Sequence, residues 1–319
     1  MMTRLLAALV AGLALAGSVC AQYPTRPIKI VPNSAAGTGP DIISRLLAAK
    51  LTEGLGQSVV VENRPGSNGN IAGEHVAKSP ADGYTLMMGT DAQFAINPHV
   101  YSSLSFDWNR DLAPVASIAT EVFKLVVIPA VPANTVAEFI AYARGVKAPL
   151  FYGSAGNGSQ HHLAMELLKE RTGINLSHVP YKGGGSAVTT AMLAGEVSAT
   201  IGGSAVDVQV RAGKLRALGV TGPTRVARYP DVPTIGDTVP GFEMVTWYGL
   251  FAPTATPQQA MARLRAEMAR VLAAPDTRAK VSEGGPEVWI TTPEEFAAAM
   301  RRDYEKNGKL VKALGVKLD

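Results

Sequence analysis

The sequence predicts an α/β protein of two domains, built on mostly parallel sheets with helices on both faces. Three observations carry this expectation. Short β-branched runs alternate with helical patterns along most of the chain. Glycine-rich loops stand between several strands and the helices that follow. The 319 residues are also enough to bury two cores.

The N-terminus sets the expected compartment. Arg4 precedes an apolar run from Leu5 to Ala16, and Val19-Cys20-Ala21 fits a signal-peptidase site. The run is too short to span a bilayer, so residues 1–21 are expected to be a cleavable secretory signal and the protein periplasmic. A lipoprotein reading centred on Cys20 competes with it. Cys20 is the single cysteine, so the mature chain would hold no disulfide, thiolate nucleophile or cysteine metal site. No later stretch is long and apolar enough to cross a bilayer. Net charge is +4, with the basic residues scattered rather than interleaved with aromatics. Nucleic acid is therefore not an expected partner, whereas a slight positive excess suits an anionic ligand.

Taken in order, "IKIV" (28–31) is the first strand, followed by a polar glycine loop and a helix. That helix places Ile42, Ile43, Leu46, Leu47 and Leu51 on one face and is expected to end at Gly54. "SVVV" (58–61) and "YTLMMG" (84–89) are the next strands. "KLVVI" (124–128) leads to a helix opened by Thr135 and Glu138 at capping-box spacing and closed by Gly145. "LFYG" (150–153) precedes a helix around 159–171, and "VSATI" (197–201) and "LRALGV" (215–220) add two strands. The proline-rich stretch 228–242 suits a return crossing between domains. Two late helices open at Thr256-Pro257, with Gln259, and at Thr292-Pro293, with Glu295. The first has an apolar stripe of Met261, Leu264, Met268 and Val271; the second carries Phe296, Met300 and Tyr304.

Three glycine loops stand at helix starts: residues 33–41, 154–159 and 182–186. A helix N-terminus presents unpaired N–H groups and about half a positive charge, and glycine lets a ligand approach the backbone. Each loop alone also fits an ordinary strand-to-helix turn capped by Ser or Asp. Three in one chain favour a shared anion site.

Other chemistries fail on spacing. "GTGPDI" (37–42) and "GNGSQH" (156–161) lack the third glycine of a dinucleotide fingerprint, and the residues around Lys214 lack a phosphate-binding loop. "GGSAV" (202–206) ends in Val206 where a nucleophile elbow needs glycine. His162 and Glu166 share a helix face, but two residues do not complete a zinc site. For His161 and His162, helix capping and polar cleft lining are favoured over metal or catalysis. No cofactor and no metal are expected. Trp247 and Tyr248 fit either core or cleft wall.

Segments across nearly the whole mature chain resemble the Bug family of extracytoplasmic solute receptors, also called TctC. They include "YPTRPIKIVP", "VVVENRPGSNGNIAGE" (59–74), "SPADGYTLMMGT" (79–90), "YGSAGNGSQHHLAMELL" (152–168), "HVPYKGGGSAV" (178–188) and "AGKLRALGVT" (212–221). The resemblance implies a two-lobed periplasmic-binding-protein fold, type II-like, with residues 22–124 and 246–319 in one lobe and 125–245 in the other. It implies a small carboxylate held between the lobes by backbone amides and water. Carried over, the site would comprise Ser34, Ala35, Gly37, Thr38, Gly39 and Asp41 in the first loop. Ser154, Gly156, Asn157, Gly158, Ser159 and His162 would follow in the second, with Tyr181, Lys182 and Gly183 in the third.

Two departures fall where ligand identity would be set. "PNSAAGTGPD" (32–41) lacks the family's Phe and inner Pro, and Gly202-Gly203 stand where relatives often carry Asp-Asn. Gly203 and Ser204 join the candidate site on that ground, and Thr90 and Asp91 through "GTDAQF" (89–94), which adds an acidic residue near the cleft. Asp91 would either select a ligand bearing an amino or hydroxyl group or remain solvated. The implied partners are a small organic anion and the membrane subunits of a tripartite tricarboxylate transporter, or else a sensor kinase; the protein itself would be a monomer. A hydrolase or isomerase on the same fold would have only His161, His162, Ser159 and Glu166 to work with.

Overall fold

The computed structural model describes residues 23–318 apart from Pro149 and Gly284, so the expected signal segment and Cys20 lie outside the described residues. β1 (Ile28–Pro32) leads through the first glycine loop into α1 (Gly39–Leu55) and on to β2 (Val59–Val61). α2 (Asn70–Ala77) carries the chain to β3 (Thr85–Thr90). β1 pairs in parallel with both β2 and β3, so these crossovers are βαβ units. β4 (Leu112–Val122) joins the same sheet, whereas β5 (Lys124–Val127) belongs to a second one, with only Phe123 between them.

The second lobe runs through α3 (Val136–Gly145), β6 (Leu150–Ser154), α4 (Gln160–Thr172), β7 (Leu176–Pro180) and α5 (Gly184–Leu193). β8 (Ala199–Gly202) and β9 (Arg216–Val220) complete a sheet of order β7-β6-β8-β5-β9. The chain then returns to β10 (Val245–Pro253), followed by α6 (Gln258–Ala273), α7 (Pro275–Glu283), β11 (Glu287–Val288) and α8 (Pro293–Leu314). The first sheet has the order β11-β4-β10-β3-β1-β2.

Both sheets are mixed, with a larger antiparallel share than the strand–helix rhythm suggests. β4 and β10 are antiparallel neighbours, as are β5 with β8 and β9. The reason is topological: β4 carries the chain out of the first lobe and β10 carries it back, so the two must run in opposite directions.

Local chemistry explains most helix ends and corrects several expectations. α1 buries Ile43, Leu47 and Leu51, but Ile42 is 49% exposed. The helix also runs through Gly54 and stops at Leu55, where Gly56 takes the left-handed conformation. Thr135 caps α3 by accepting from Glu138 N–H, while Glu138 itself accepts from Asn134 N–H rather than closing the box on Thr135. α8 has the full capping box of Thr292 and Glu295. Thr256 does not cap α6; Pro257 takes the cap position, and the Thr256 hydroxyl is buried without a partner. Tyr304 leaves the apolar stripe: it is 37% exposed and its ring packs on His99 at 4.3 Å.

The late helices do not belong wholly to the first lobe. Phe296 and Met300 of α8 pack with Trp247 and Phe251 beneath the first sheet, while Val311 enters the core of the second lobe. Burying each such side chain contributes roughly 1.5–3 kcal/mol, so α8 binds the lobes together along their back. Among the described residues, no helix is long and apolar enough to cross a membrane.

Candidate functional site

A cavity of about 820 Å³ lies between the two sheets. The starts of four helices face it, through the loops before α1, α2, α4 and α5. α1, α2 and α5 have no side-chain cap; the first N–H of α2, on Asn70, goes to Ser67 O and that of α5, on Gly184, to Tyr181 O at 3.2 Å, while the N–H groups that follow have no acceptor within their own helix. α4 alone is capped, by Ser159, whose hydroxyl accepts from His162 N–H and donates to Gly156 O at 2.7 Å.

Of the residues expected from sequence, Ser34, Ala35, Thr38, Gly39, Thr90, Gly156, Asn157, Ser159, Lys182, Gly183, Gly203 and Ser204 line this cavity. Gly37, Asp41, Asp91, Ser154, Gly158, His162 and Tyr181 do not. Asp41 accepts from Gly37 N–H at 2.9 Å and Asn63 Nδ2 at 2.9 Å, and pairs with Arg45 at 3.0 Å. Burial opposes its charge, yet these bonds outweigh burial and hold the carboxyl below its ordinary range. It shapes the first loop from within.

In the second loop, Gly158 N–H donates to His162 Nδ1 at 3.1 Å, and Gly156 N–H donates to Ser154 Oγ at 3.1 Å. His162 stacks on His178 at 4.1 Å, away from the cavity wall. Gly158 sits at φ 71, and a Cβ there would stand 2.7 Å from Leu318 Cδ1. The position therefore needs glycine for both conformation and space. Tyr181 packs with the core beside α5 and donates to Glu196 at 3.1 Å.

Asp91 is neither solvated nor on the wall. It is buried and accepts from the Thr246 hydroxyl and from Gln160 Nε2 at 2.6 Å. It borders instead a separate crevice of about 530 Å³ on the back of the hinge, lined by residues of α4 and α8. The turn that follows β3 carries it there.

Several cavity residues escaped sequence reasoning. Gly66, Ser67, Asn68 and Gly69 form a fourth loop, with Ser67 and Asn68 both at positive φ. The signal was present: glycines flank a polar pair just before a helix. His161 rather than its neighbour faces the cavity; burial pulls its pKa down to about 4, so the imidazole is neutral. Glu121, Phe123, Tyr101, Lys317 and Leu318 also line the wall, at positions with no local pattern to mark them, and Tyr248 proves to be on the cleft wall, one of its two expected places.

Side chains also tie the lobes together around the cavity. Asn68 Nδ2 donates to Gly158 O at 3.2 Å, and Ser204 N–H donates to Glu121 Oε1 at 2.6 Å. Gln160 adds the bond to Asp91.

Comparison with known proteins decides the family. The signature of the tripartite tricarboxylate transporter family receptor, TctC, matches residues 43–316. The chain belongs to this family. A UPF0065 protein from the tcbD-tcbE intergenic region of Pseudomonas sp. (strain P51) is 36% identical over 292 residues, covering 91% of this chain and 86% of that one. The solved structure of R. palustris Rpa4515 with adipate is 36% identical, with a TM-score of 0.89, over 92% of this chain and 99% of that one. The periplasmic binding protein BugD is 29% identical, with a TM-score of 0.86, over 92% of this chain and 99% of that one. The two-lobed α/β fold expected from the TctC resemblance is therefore the fold observed. The first glycine loop, residues 33–41, stands just ahead of the TctC match.

Proposed function

We propose that the chain is a periplasmic solute receptor that closes its lobes on a small organic carboxylate and delivers it to the membrane subunits of a tripartite tricarboxylate-type transporter. The observation that carries this reading is the convergence of four helix starts on one cavity, three of them uncapped. Uncapped N–H groups and aligned peptide dipoles attract a carboxylate without chemistry being done on it. Adipate in the related R. palustris protein and the periplasmic setting of BugD support the ligand class and the compartment.

In this reading residues 22–124 and 246–319 act mainly as one lobe and 125–245 as the other, except that Lys124 on β5 and the end of α8 pack with the second lobe and Val245 on β10 with the first. Ser34, Thr38, Gly39, Asn157, Lys182 and Gly183 touch the ligand. Asp41, Ser154, Gly158 and His162 hold the loops from behind. Each lobe supplies part of the contact set, so ligand favours the closed state.

The test is thermal unfolding of the mature protein against mono-, di- and tricarboxylates, aromatic acids and neutral amides. A ligand at about a hundred times its Kd stabilises the fold by roughly 2.7 kcal/mol. A shift from one carboxylate class identifies the ligand family. Silence from every carboxylate, with a shift from a neutral amide, would sink the reading.

A further inference from the structure

Among the described residues that line the cavity, Glu121 is the one carboxylate. It stands near the end of β4, where the chain crosses between lobes, and is only 3% exposed. Its Oε1 accepts from Ser204 N–H at 2.6 Å, and its Oε2 accepts from the Tyr248 hydroxyl. Both donors are neutral. Among the described residues, no ion pair reaches it, because the nearby Lys124 ammonium is bonded to Asp207 Oδ1 at 2.6 Å. Burial pushes the Glu121 pKa up although the Lys124 charge pulls the other way, so the carboxylate form gains when a cation is brought directly to it.

The cavity around Glu121 is built to leave room for that charge. A Cβ on Gly203 would stand 2.7 Å from Glu121 Oε1 and 3.1 Å from Phe123 Cε1, so the missing side chain keeps this oxygen open. Each carboxylate oxygen has two lone pairs, of which the protein uses one. The Phe123 ring flanks the niche, and His161 packs on it edge to face at 5.0 Å. His161 Nδ1 is buried without a hydrogen-bond partner. A carboxylate, an aromatic ring and a spare imidazole nitrogen together suit an ammonium group. The rest of the wall, with its helix starts and the exposed Lys182 and Lys317, suits an anion.

We infer that the ligand carries a protonated amine as well as a carboxylate, and that Glu121 receives the amine. This rests on the reading of the cavity as a carboxylate site and narrows it to zwitterions.

Calorimetric titration with matched pairs tests it: succinate and aspartate, glutarate and glutamate, adipate and α-aminoadipate. In the pair that binds, the amino member is expected to bind about tenfold or more tightly. Glu121→Gln should bring the two affinities together. Gly203→Ala, which covers the same oxygen from the opposite lobe, should narrow the ratio as well and serves if Glu121→Gln does not fold. An unsubstituted acid binding as tightly as its amino partner overturns the amine assignment and leaves the carboxylate reading standing. An unchanged ratio in a folded Glu121→Gln protein does the same. Silence from both members of every pair overturns the amine assignment for these acids, and silence from every carboxylate of the thermal panel as well overturns the carboxylate reading with it.

Discussion

Gln160 Nε2 lies 2.6 Å from Asp91 Oδ1 and so joins the first residue of α4 in one lobe to a buried carboxylate in the other. The same nitrogen lies 2.8 Å from Thr246 Oγ1 and 3.3 Å from Thr90 Oγ1. It has two hydrogens, so it serves Asp91 and one hydroxyl at a time. The contact is an inter-lobe bolt set in the cavity wall, which Gln160, Thr90 and Thr246 all line.

Gln160→Ala should loosen that bolt. A hydrogen bond contributes about 0.5–1.5 kcal/mol to a neutral partner and about 1.5–3 kcal/mol to a charged one, and part of it is made only when the lobes meet. The unliganded variant should therefore show a larger radius of gyration by small-angle scattering, and weaker ligand binding. Identical scattering and affinity in the two proteins would mean the lobes are held elsewhere.

Asp91 makes the same contact dependent on pH. Burial pushes its pKa from 3.8 up to about 7, although Thr246 and Gln160 pull the other way. The fold thus keeps a proton that the unfolded chain releases from about pH 4 upward. This side chain costs stability as pH rises through the interval from 3.8 to about 7, and the cost is complete above it. Asp91→Asn abolishes the titration, so its unfolding free energy relative to the native protein should climb between pH 4 and pH 7.5 by as much as roughly 4 kcal/mol. His161 and His178, each drawn down from 6.5 to about 4 mainly by burial, act in the opposite sense. They cost stability as pH falls from 6.5 toward 4, but both proteins share them, so the difference cancels their effect. A stability difference that does not change with pH would show Asp91 to be ionised throughout.

What could be seen in the sequence follows from how local each signal is. β1 and β5 announce themselves as β-branched runs, β3 as a short apolar one, and the loops at 33–41, 154–159 and 182–186 as glycines ahead of a helix. β4 and β10 do not: Pro114 and Gly249 interrupt them, and β10 is buried on both faces, so no alternation marks it. The two acids near the hinge make the same point about the site. Asp91 and Glu121 are alike in sequence terms, each beside the end of a strand. Only the turn after β3, and the packing of Tyr248 and Ser204 on Glu121, decide which of them faces the cavity. Those neighbours are distant in sequence, so no window of residues could reveal them.

Lys124 and Asp207 also bear on stability. Their side chains are 3% and 2% exposed and meet at 2.6 Å, with Arg228 Nε 3.7 Å from Asp207 Oδ2. Removing one partner of a buried pair leaves the other charge stranded, which costs about 3–5 kcal/mol. Asp207→Ala should therefore lower the urea midpoint sharply, whereas the double change Lys124→Met with Asp207→Leu should recover much of the loss. A double variant no more stable than Asp207→Ala would show that the pair contributes more than it costs to bury.

Asn68 combines backbone and side-chain roles that two substitutions can separate. It holds φ 50, in the left-handed region, and its Nδ2 donates to Asn97 Oδ1 at 2.6 Å and to Gly158 O at 3.2 Å. Its carbonyl accepts from Gln93 Nε2 at 2.9 Å and Asn97 Nδ2 at 3.0 Å, bonds that survive any side-chain change. Asn68→Gly keeps the conformation and removes the inter-lobe bond; Asn68→Ala removes the bond and adds left-handed strain of about 1–2 kcal/mol. Both variants should bind ligand more weakly, to a similar degree, because both lose the tie to Gly158. Chemical denaturation should then rank Asn68→Ala below Asn68→Gly by about 1 kcal/mol, since glycine's looser unfolded chain returns part of the strain difference. Equal stability of the two variants would mean that the loop relaxes out of the left-handed conformation once the side chain is gone. Unchanged ligand affinity in Asn68→Gly would show that the tie to Gly158 plays no part in closing the cleft.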